Sequence, residues 1–148
     1  MQFSMSLEYA IHGLVYLART PERTAVLLGD IAAAIRVPKE YMRKVFQQLA
    51  RKRLVVARRG AKGGYHLSRP PAELTLKEVV EALEGSLPLY HCLSLQRHCG
   101  LSPSCPVQRT FRLAGEKMAE VLHSVSIQDL AREIKENRSE HSWLKVTA

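Results

Sequence analysis

The sequence predicts a mainly α-helical fold that carries one small β-hairpin. Apolar residues recur every three or four positions along most of the chain, which is the spacing of one face of a helix. One pair of strand-like runs stands out, and it flanks a glycine-rich turn. With 148 residues, of which 46% are hydrophobic, the chain can bury a core without disulfides.

The first three helices are predicted to include a helix-turn-helix unit. Residues 5–19 place apolar side chains at helical spacing, and a short second helix is expected over about residues 28–35. Pro38 separates the second helix from the third, because the residue before a proline avoids the helical region and proline suits a first helical position. The third helix, from Pro38 to about Lys52, has one apolar face and one basic, polar face. Two helices joined in this way are typical of helix-turn-helix proteins.

A basic β-hairpin is predicted directly after the third helix. Strand-like runs at residues 54–57 and 65–68 flank the turn Arg58–Gly64, which holds three glycines and three basic residues. A basic helix alone is more often a solvated face, and a basic hairpin alone is more often only a hairpin. Their order along the chain, together with a formal charge of +8, predicts a winged helix-turn-helix domain that binds duplex DNA.

The candidate DNA-binding residues divide by their chemistry. Arg51, Arg58 and Lys62 would neutralise phosphates without reading sequence. Polar side chains on the exposed face of the third helix would reach base edges in the major groove, and we expect Arg43 to read a guanine. The full candidate set is Lys39, Glu40, Arg43, Lys44, Gln47, Arg51, Arg58, Arg59 and Lys62.

Three more helices are predicted beyond the winged domain. Thr75 and Glu78 form a capping-box pattern at the start of the fourth helix, and Gly85 suits its C-terminal end. A long helix from Pro106 to about Ser124 is followed by a last helix. The long helix carries a heptad seam of Val107, Phe111, Ala114, Met118, Val121 and Val125. The same stripe would also suit packing within its own domain, but we favour a dimerisation helix because helix-turn-helix units commonly act as two-fold pairs.

The elements divide the chain into three expected regions. Residues 1–71 form the winged helix-turn-helix domain, whose first helix also reaches the partner subunit. Residues 72–135 hold a cysteine-containing loop and the dimerisation helices, and residues 136–148 form a flexible tail. No apolar run reaches the roughly 18 residues that span a membrane, and the N-terminus lacks a secretory signal. We therefore expect a cytoplasmic protein with no membrane partner.

All three cysteines, Cys92, Cys99 and Cys105, fall in one short polar stretch before the long helix. An odd number in a reducing compartment disfavours a disulfide framework and favours metal binding or redox chemistry. Six and then five residues separate them, which is wider than the roughly two to four typical of structural zinc sites. A zinc site completed by His91 or His98 remains an alternative, and metal-free redox thiols are another.

Several motifs together resemble the IscR/NsrR/RirA family of bacterial winged-helix regulators. They are Tyr9-Ala10, Asp30-Ile31-Ala32, Tyr41-Met42, the wing sequence from Arg59 to Tyr65, and the three-cysteine loop. The resemblance implies a homodimer joined through the long fifth helix, with Arg59 entering the minor groove. It also implies an iron–sulfur cluster held by the three cysteines and one further ligand, and thiolates are the usual ligands of such clusters. We expect [4Fe–4S] in preference to [2Fe–2S].

The fourth ligand implied by the resemblance differs between branches of the family. Where IscR has a histidine three residues after the third cysteine, this chain has Gln108. The NsrR-like branch uses a carboxylate from the partner's first helix, and the matching residue is Glu8. In a further relative a histidine one turn later contributes, which matches His12, and two such side chains share one helix face. The alternatives are an ordinary exposed carboxylate at Glu8 and a packing histidine at position 12.

The expected function is that of a homodimeric transcription regulator. Its operator affinity would be switched by an iron–sulfur cluster that senses nitric oxide, redox state or iron, with repression and activation both open. The chain shows no nucleophile–base pair, phosphate loop or substrate-pocket signature, so we do not expect an enzyme. An enzyme subunit would have little room beside the winged domain, and a scaffold without DNA binding would not explain the basic wing.

Overall fold

The computed structural model describes residues 3–85 and 105–136. These residues form six α-helices, one two-stranded antiparallel sheet and a short 3-10 turn at Pro71–Glu73. The elements in chain order are α1 (Met5–Ala18), α2 (Leu28–Ala34), α3 (Lys39–Arg51), β1 (Val55–Arg58), β2 (Gly64–Leu67), α4 (Leu76–Glu84), α5 (Pro106–Ser124) and α6 (Ile127–Glu136). The predicted mainly α-helical class with one hairpin wing is confirmed.

Helix α1 is the central element, and it packs against α3, α4 and α6. Ser4 starts it, since its hydroxyl accepts a hydrogen bond from the Leu7 backbone N–H at 3.3 Å. The apolar stripe predicted from the sequence is buried along this helix. At Gly13 the helix lies so close to α3 that an added Cβ would stand 2.7 Å from the Phe46 ring. The absence of a side chain there lets the third helix sit directly on the first.

The helix-turn-helix unit consists of α2, a short turn and α3. Pro38 is the N-cap of α3 and not its first helical residue as expected, because its ψ of 130° is extended. The apolar face of α3 is fully buried, through Met42, Val45, Phe46 and Leu49. Burial of that face leaves the basic face of α3 in solvent.

The wing pairs β1 with β2, with Val55 opposite Leu67 and Arg58 opposite Gly64. Each strand is displaced by one residue from its predicted range. The backbone N–H of Leu54 is used to close α3 by donating to the Leu49 carbonyl at 2.9 Å, so the first strand begins one residue later.

A third segment joins the wing through Val26, which exchanges two backbone hydrogen bonds with Tyr65 at 2.9 and 2.8 Å. This bridge requires glycine at position 64. Gly64 has φ of +141°, and a Cβ there would lie 2.2 Å from the Val26 carbonyl oxygen. The segment before α2 is thereby fixed to the base of the wing.

The remaining helices close the core from the other side of α1. Thr75 and Glu78 form the predicted capping box, and Gly85 ends α4 with φ of +80°. Ser126 and Asp129 exchange the equivalent hydrogen bonds at the start of α6. Within residues 3–85 and 105–136, no helix is long and apolar enough to cross a membrane.

Candidate nucleic-acid interface and metal-ligating residues

The exposed face of α3 carries all the predicted base-reading residues. Lys39, Glu40, Arg43, Lys44, Gln47 and Arg51 are exposed, and α3 turns this face away from the core. One ion pair lies on it, between the Arg43 guanidinium and the Glu40 carboxylate at 3.3 Å. The face is therefore basic, with one carboxylate in its first turn.

The wing brings further basic residues next to that face. Arg58, Arg59 and Lys62 are exposed on the hairpin. A groove of about 380 Å³ lies between α2, α3 and the wing, and Lys39, Arg43, Gln47 and Arg58 are among the residues that line it. The structure thus brings together four of the nine predicted DNA-binding residues in one groove. The other five, Glu40, Lys44, Arg51, Arg59 and Lys62, lie outside its lining.

Glu8 and His12 lie one turn apart on α1, as the sequence predicts. Glu8 is exposed, whereas His12 is half-buried. Burial lowers the pKa of His12 from its usual value, and the nearby Glu8 carboxylate acts in the opposite direction. The two side chains are therefore close enough to interact, and a histidine kept neutral by burial has a ring nitrogen able to ligate a metal.

Of the three cysteines, Cys105 alone belongs to the described residues. It is the N-cap of α5, is partly exposed, and is a free thiol followed by Pro106 at the first helical position. Cys92 and Cys99, like His91 and His98, lie outside the described residues, as do residues 137–148 of the predicted flexible tail. Glu136, where that tail was expected to begin, is the last residue of α6. Among the residues that are described, no three potential metal ligands from His, Cys, Asp and Glu are clustered in the single chain.

Two links that the sequence did not predict connect the start of α1 to α3 and to α4. The hydroxyls of Ser6 and Tyr41 are hydrogen-bonded at 2.8 Å, and the Tyr9 ring meets the Tyr41 ring edge-on with centroids 5.4 Å apart. On the other side, the Ser4 backbone N–H donates to the Glu84 carboxylate at 3.0 Å. The turn that presents Glu8 is therefore linked to α3 and to the last residue of α4. No local sequence signal indicates either link.

The predicted heptad seam of α5 is largely in solvent. Val107, Phe111 and Val121 are 49%, 42% and 64% exposed, although each is strongly apolar. Helix α5 contributes no fully buried residue and packs mainly against α4. A long helix with this much exposed apolar surface is typical of an interaction face.

The sequence profile of one regulator family matches residues 3–133, which cover the winged domain and all of α5. That family is Rrf2, the iron-dependent transcriptional regulators. The chain belongs to the Rrf2 family. The predicted resemblance to regulators of the IscR and NsrR type is thereby confirmed, and as an Rrf2 protein the chain is a transcription regulator and not an enzyme.

Individual Rrf2 proteins are similar to the chain over nearly their whole length. The regulator NsrR of Oceanobacillus iheyensis is 26% identical over 137 residues, which cover 92% of this chain and 93% of that protein. The structure is similar to CymR, the global cysteine regulator of B. subtilis, with a TM-score of 0.74, 25% identity and coverage of 90% and 98%. It is also similar in fold to IscR of T. potens, with a TM-score of 0.69, 24% identity and coverage of 92% and 90%. Winged-helix regulators of the Rrf2 family bind DNA.

Proposed function

We propose that this Rrf2 protein is a cytoplasmic homodimer whose affinity for its operator depends on an iron–sulfur cluster. The observation that carries the proposal is the direct contact between the helix turn that bears Glu8 and the helix that bears the DNA-reading face. The contact is the hydrogen bond between Ser6 in that turn and Tyr41, and Tyr41 lies in the first turn of α3 between Glu40 and Arg43. A shift of the turn on ligation of Glu8 would therefore be passed to α3.

The proposed ligands are Cys92, Cys99 and Cys105, with Glu8 or His12 from the partner subunit as the fourth. The described residues fit this role. Cys105 is a partly exposed free thiol at a helix start, and Glu8 is exposed on the first helix. When bound, the group supplies a centre that nitric oxide, oxidation or iron shortage can modify or remove.

The dimer is proposed to form through α5. Its exposed seam repeats at four and three residues, the spacing at which two helices pack along a shared stripe. Pairing of two α5 helices would remove Val107, Phe111 and Val121 from water.

The switch is proposed to act through the two anchors of the first turn of α1. Glu84 holds Ser4 immediately before the cysteine-containing segment begins, and Ser6 holds Tyr41 on the reading helix. Ligation of Glu8 would tie this turn to the partner subunit and so fix α3 relative to the partner's α3. Loss of that ligation would release the turn from the partner, change the spacing of the two reading helices, and change operator affinity.

DNA recognition is proposed to follow the division of residues given by the groove. Lys39 and Arg58 lie on opposite sides of it, on α3 and the wing, and would hold phosphates there. Arg51 and Lys62 would add further phosphate contacts. Lys44 lies beside Arg43 on the same exposed face of α3. Arg59, on the wing, would enter the minor groove. Arg43 and Gln47 would reach base edges, because both lie on the exposed face of α3.

A second candidate function is a winged-helix regulator that uses its cysteines as metal-free redox thiols. Cys105 supports this candidate, because it is a free, partly exposed thiol at the start of α5, and such a thiol is open to oxidation as well as to metal binding. The redox-thiol candidate and the zinc-site candidate both keep the proposed DNA-binding face and the proposed dimer. They differ from the main proposal in what the cysteines hold.

The deciding experiment is an anaerobic purification followed by visible absorption spectra and analysis of iron, sulfide and zinc. The main proposal expects coloured protein with iron and sulfide in similar amounts. The thiol candidate expects colourless protein free of metal, and zinc without sulfide would indicate the structural site.

The fourth ligand is tested by Glu8→Gln and His12→Asn, with Glu22→Gln as the matched control. Glu22 is an exposed carboxylate that lies beyond the C-terminal end of α1, so its substitution changes charge without touching the first turn. If Glu8→Gln alone lost its visible absorption in air faster than the wild-type protein, the Glu8 carboxylate would be assigned as the fourth ligand. Equal stability of all variants would exclude both α1 residues.

A further inference from the structure

One carboxylate on the reading face of α3 adds little to folding and opposes general DNA attraction. In the first turn of α3 the Glu40 charge meets the positive end of the helix dipole, which at an exposed site contributes only a small stabilisation. Glu40 is 78% exposed at its side chain, and its partner Arg43 is 50% exposed. An ion pair with this much solvent contact adds little to folding stability. A negative charge on a face that meets phosphates also weakens nonspecific attraction to DNA.

The position of the pair on the helix makes it suitable for reading bases. Glu40 lies in the first turn of α3 and Arg43 one turn later. The N-terminal residues of a recognition helix are the ones that contact base edges. Three residues advance about 4.5 Å along a helix at about 1.5 Å each, and stacked base pairs are about 3.4 Å apart. Residues with this spacing therefore reach neighbouring base pairs.

The two side chains demand different bases. The guanidinium of an arginine donates two hydrogen bonds to O6 and N7 of guanine, whereas a carboxylate only accepts and so matches the N4 amino group of cytosine. At the same edge, guanine offers two acceptors, which repel a carboxylate. The 3.3 Å contact also holds the Arg43 guanidinium over the same turn as Glu40 before DNA arrives.

We infer that Glu40 and Arg43 form a two-residue reader for adjacent base pairs, with Arg43 on a guanine and Glu40 on a neighbouring cytosine. The inference rests on the proposed function, in which α3 enters the major groove. It therefore predicts part of the operator sequence. Each half-site contains two adjacent G·C pairs where the first turns of α3 enter the major groove. Glu40 is then a specificity-determining residue and not only the partner of Arg43.

The test is selection of binding sites from a randomised duplex pool, with the full-length protein purified anaerobically and, in parallel, after removal of its metal. The variants are Glu40→Gln, Arg43→Ala and the control Glu81→Gln. Glu81 pairs with Lys77 on α4 and is exposed like Glu40, so its substitution changes the net charge by the same amount away from α3. The affinity of each variant is then measured on the selected duplex and on duplexes with one base pair exchanged.

The wild-type protein and Glu81→Gln are expected to select adjacent G·C pairs and to lose about tenfold in affinity when either pair is exchanged. Glu40→Gln should keep the guanine and move the neighbouring preference from cytosine to adenine, because glutamine pairs with N6 and N7 of adenine. Arg43→Ala should lose the preference for guanine.

Two results would overturn the inference. If Glu40→Gln selected the wild-type sequence and changed its affinity for all duplexes only by the factor measured for Glu81→Gln, then Glu40 acts through charge alone and the proposed function stands. If the wild-type protein enriched no sequence in either preparation, operator binding by α3 would itself be wrong, and the reader with it.

Discussion

The hydrogen bond between the hydroxyls of Ser6 and Tyr41 is the link through which α1 is expected to position α3. Tyr41→Phe removes this 2.8 Å bond and keeps the ring that packs edge-on against Tyr9. A partly buried hydrogen bond contributes about 1 kcal/mol net to stability. We therefore expect the free energy of unfolding to fall by about 1 kcal/mol, which corresponds to about a fivefold change in the unfolding equilibrium.

The assay is a double-mutant cycle with Ser6→Ala, followed by denaturant unfolding and by operator titration with and without metal. Because both hydroxyls belong to one bond, the double variant should be about as stable as each single variant. The difference in operator affinity between the two metal states should shrink in all three. Tyr16→Phe is the control, since the Tyr16 hydroxyl has no hydrogen bond within the described residues. Additive losses within about 0.3 kcal/mol, together with an unchanged affinity difference, would refute the link.

Further predictions concern the wing, the fourth helix and the dimer. Gly64→Ala should lower the free energy of unfolding by more than about 1 kcal/mol and weaken DNA binding, because the new Cβ meets a backbone carbonyl at positive φ. Thr75→Ala should cost about 1 kcal/mol in denaturant unfolding, because the α4 capping box is lost. Burial tends to raise the pKa of Glu78, but hydrogen bonds from Thr75 and Arg69 hold the pKa below its ordinary value of 4.5. The stability from Glu78 is therefore present above that pH and lost as pH falls below it, and Glu78→Gln should flatten this part of the stability profile. Val121→Glu should convert a dimer to monomers in sedimentation experiments, because it places a charge in the exposed seam of α5.

Matched control variants distinguish these specific effects on the wing and on the dimer from nonspecific destabilisation of the protein. Gly60→Ala meets no atom within 4 Å at its φ of +103°, so it should cost less than the same change at position 64. His123→Glu adds the same charge to the face of α5 opposite the seam, where His123 is exposed, and should leave the dimer intact. Equal effects of the two glycine changes, or a monomer from His123→Glu, would contradict the reasoning.

The features that the sequence predicted well are those that depend on interactions between residues close together in the chain. The capping pairs Thr75 with Glu78 and Ser126 with Asp129 hold in the structure because each pair lies within one helix turn. The apolar face of α3 follows from its spacing alone. The first strand of the wing was predicted to start one residue too early, since the use of Leu54 in closing α3 is not visible in strand propensity.

The features that escaped sequence reasoning join distant parts of the chain. Ser6 and Tyr41 are 35 residues apart, and Ser4 and Glu84 are 80 residues apart. Neither pair belongs to a local pattern, because tertiary packing of α1 on α3 and α4 brings them together. The bridge of Val26 to the wing is likewise a result of packing. These contacts are also the ones that connect the proposed ligand Glu8 to the DNA-reading helix.

The most direct test of the account compares one preparation of the protein on one selected operator with its cluster and after the cluster is removed anaerobically. Coupling between two sites typically changes affinity by about 5- to 150-fold, and we expect a difference in that range. The steep loss of affinity with salt that marks phosphate contacts should appear in the tighter state. Equal operator affinity of the two preparations would contradict the central claim that cluster ligation controls DNA binding.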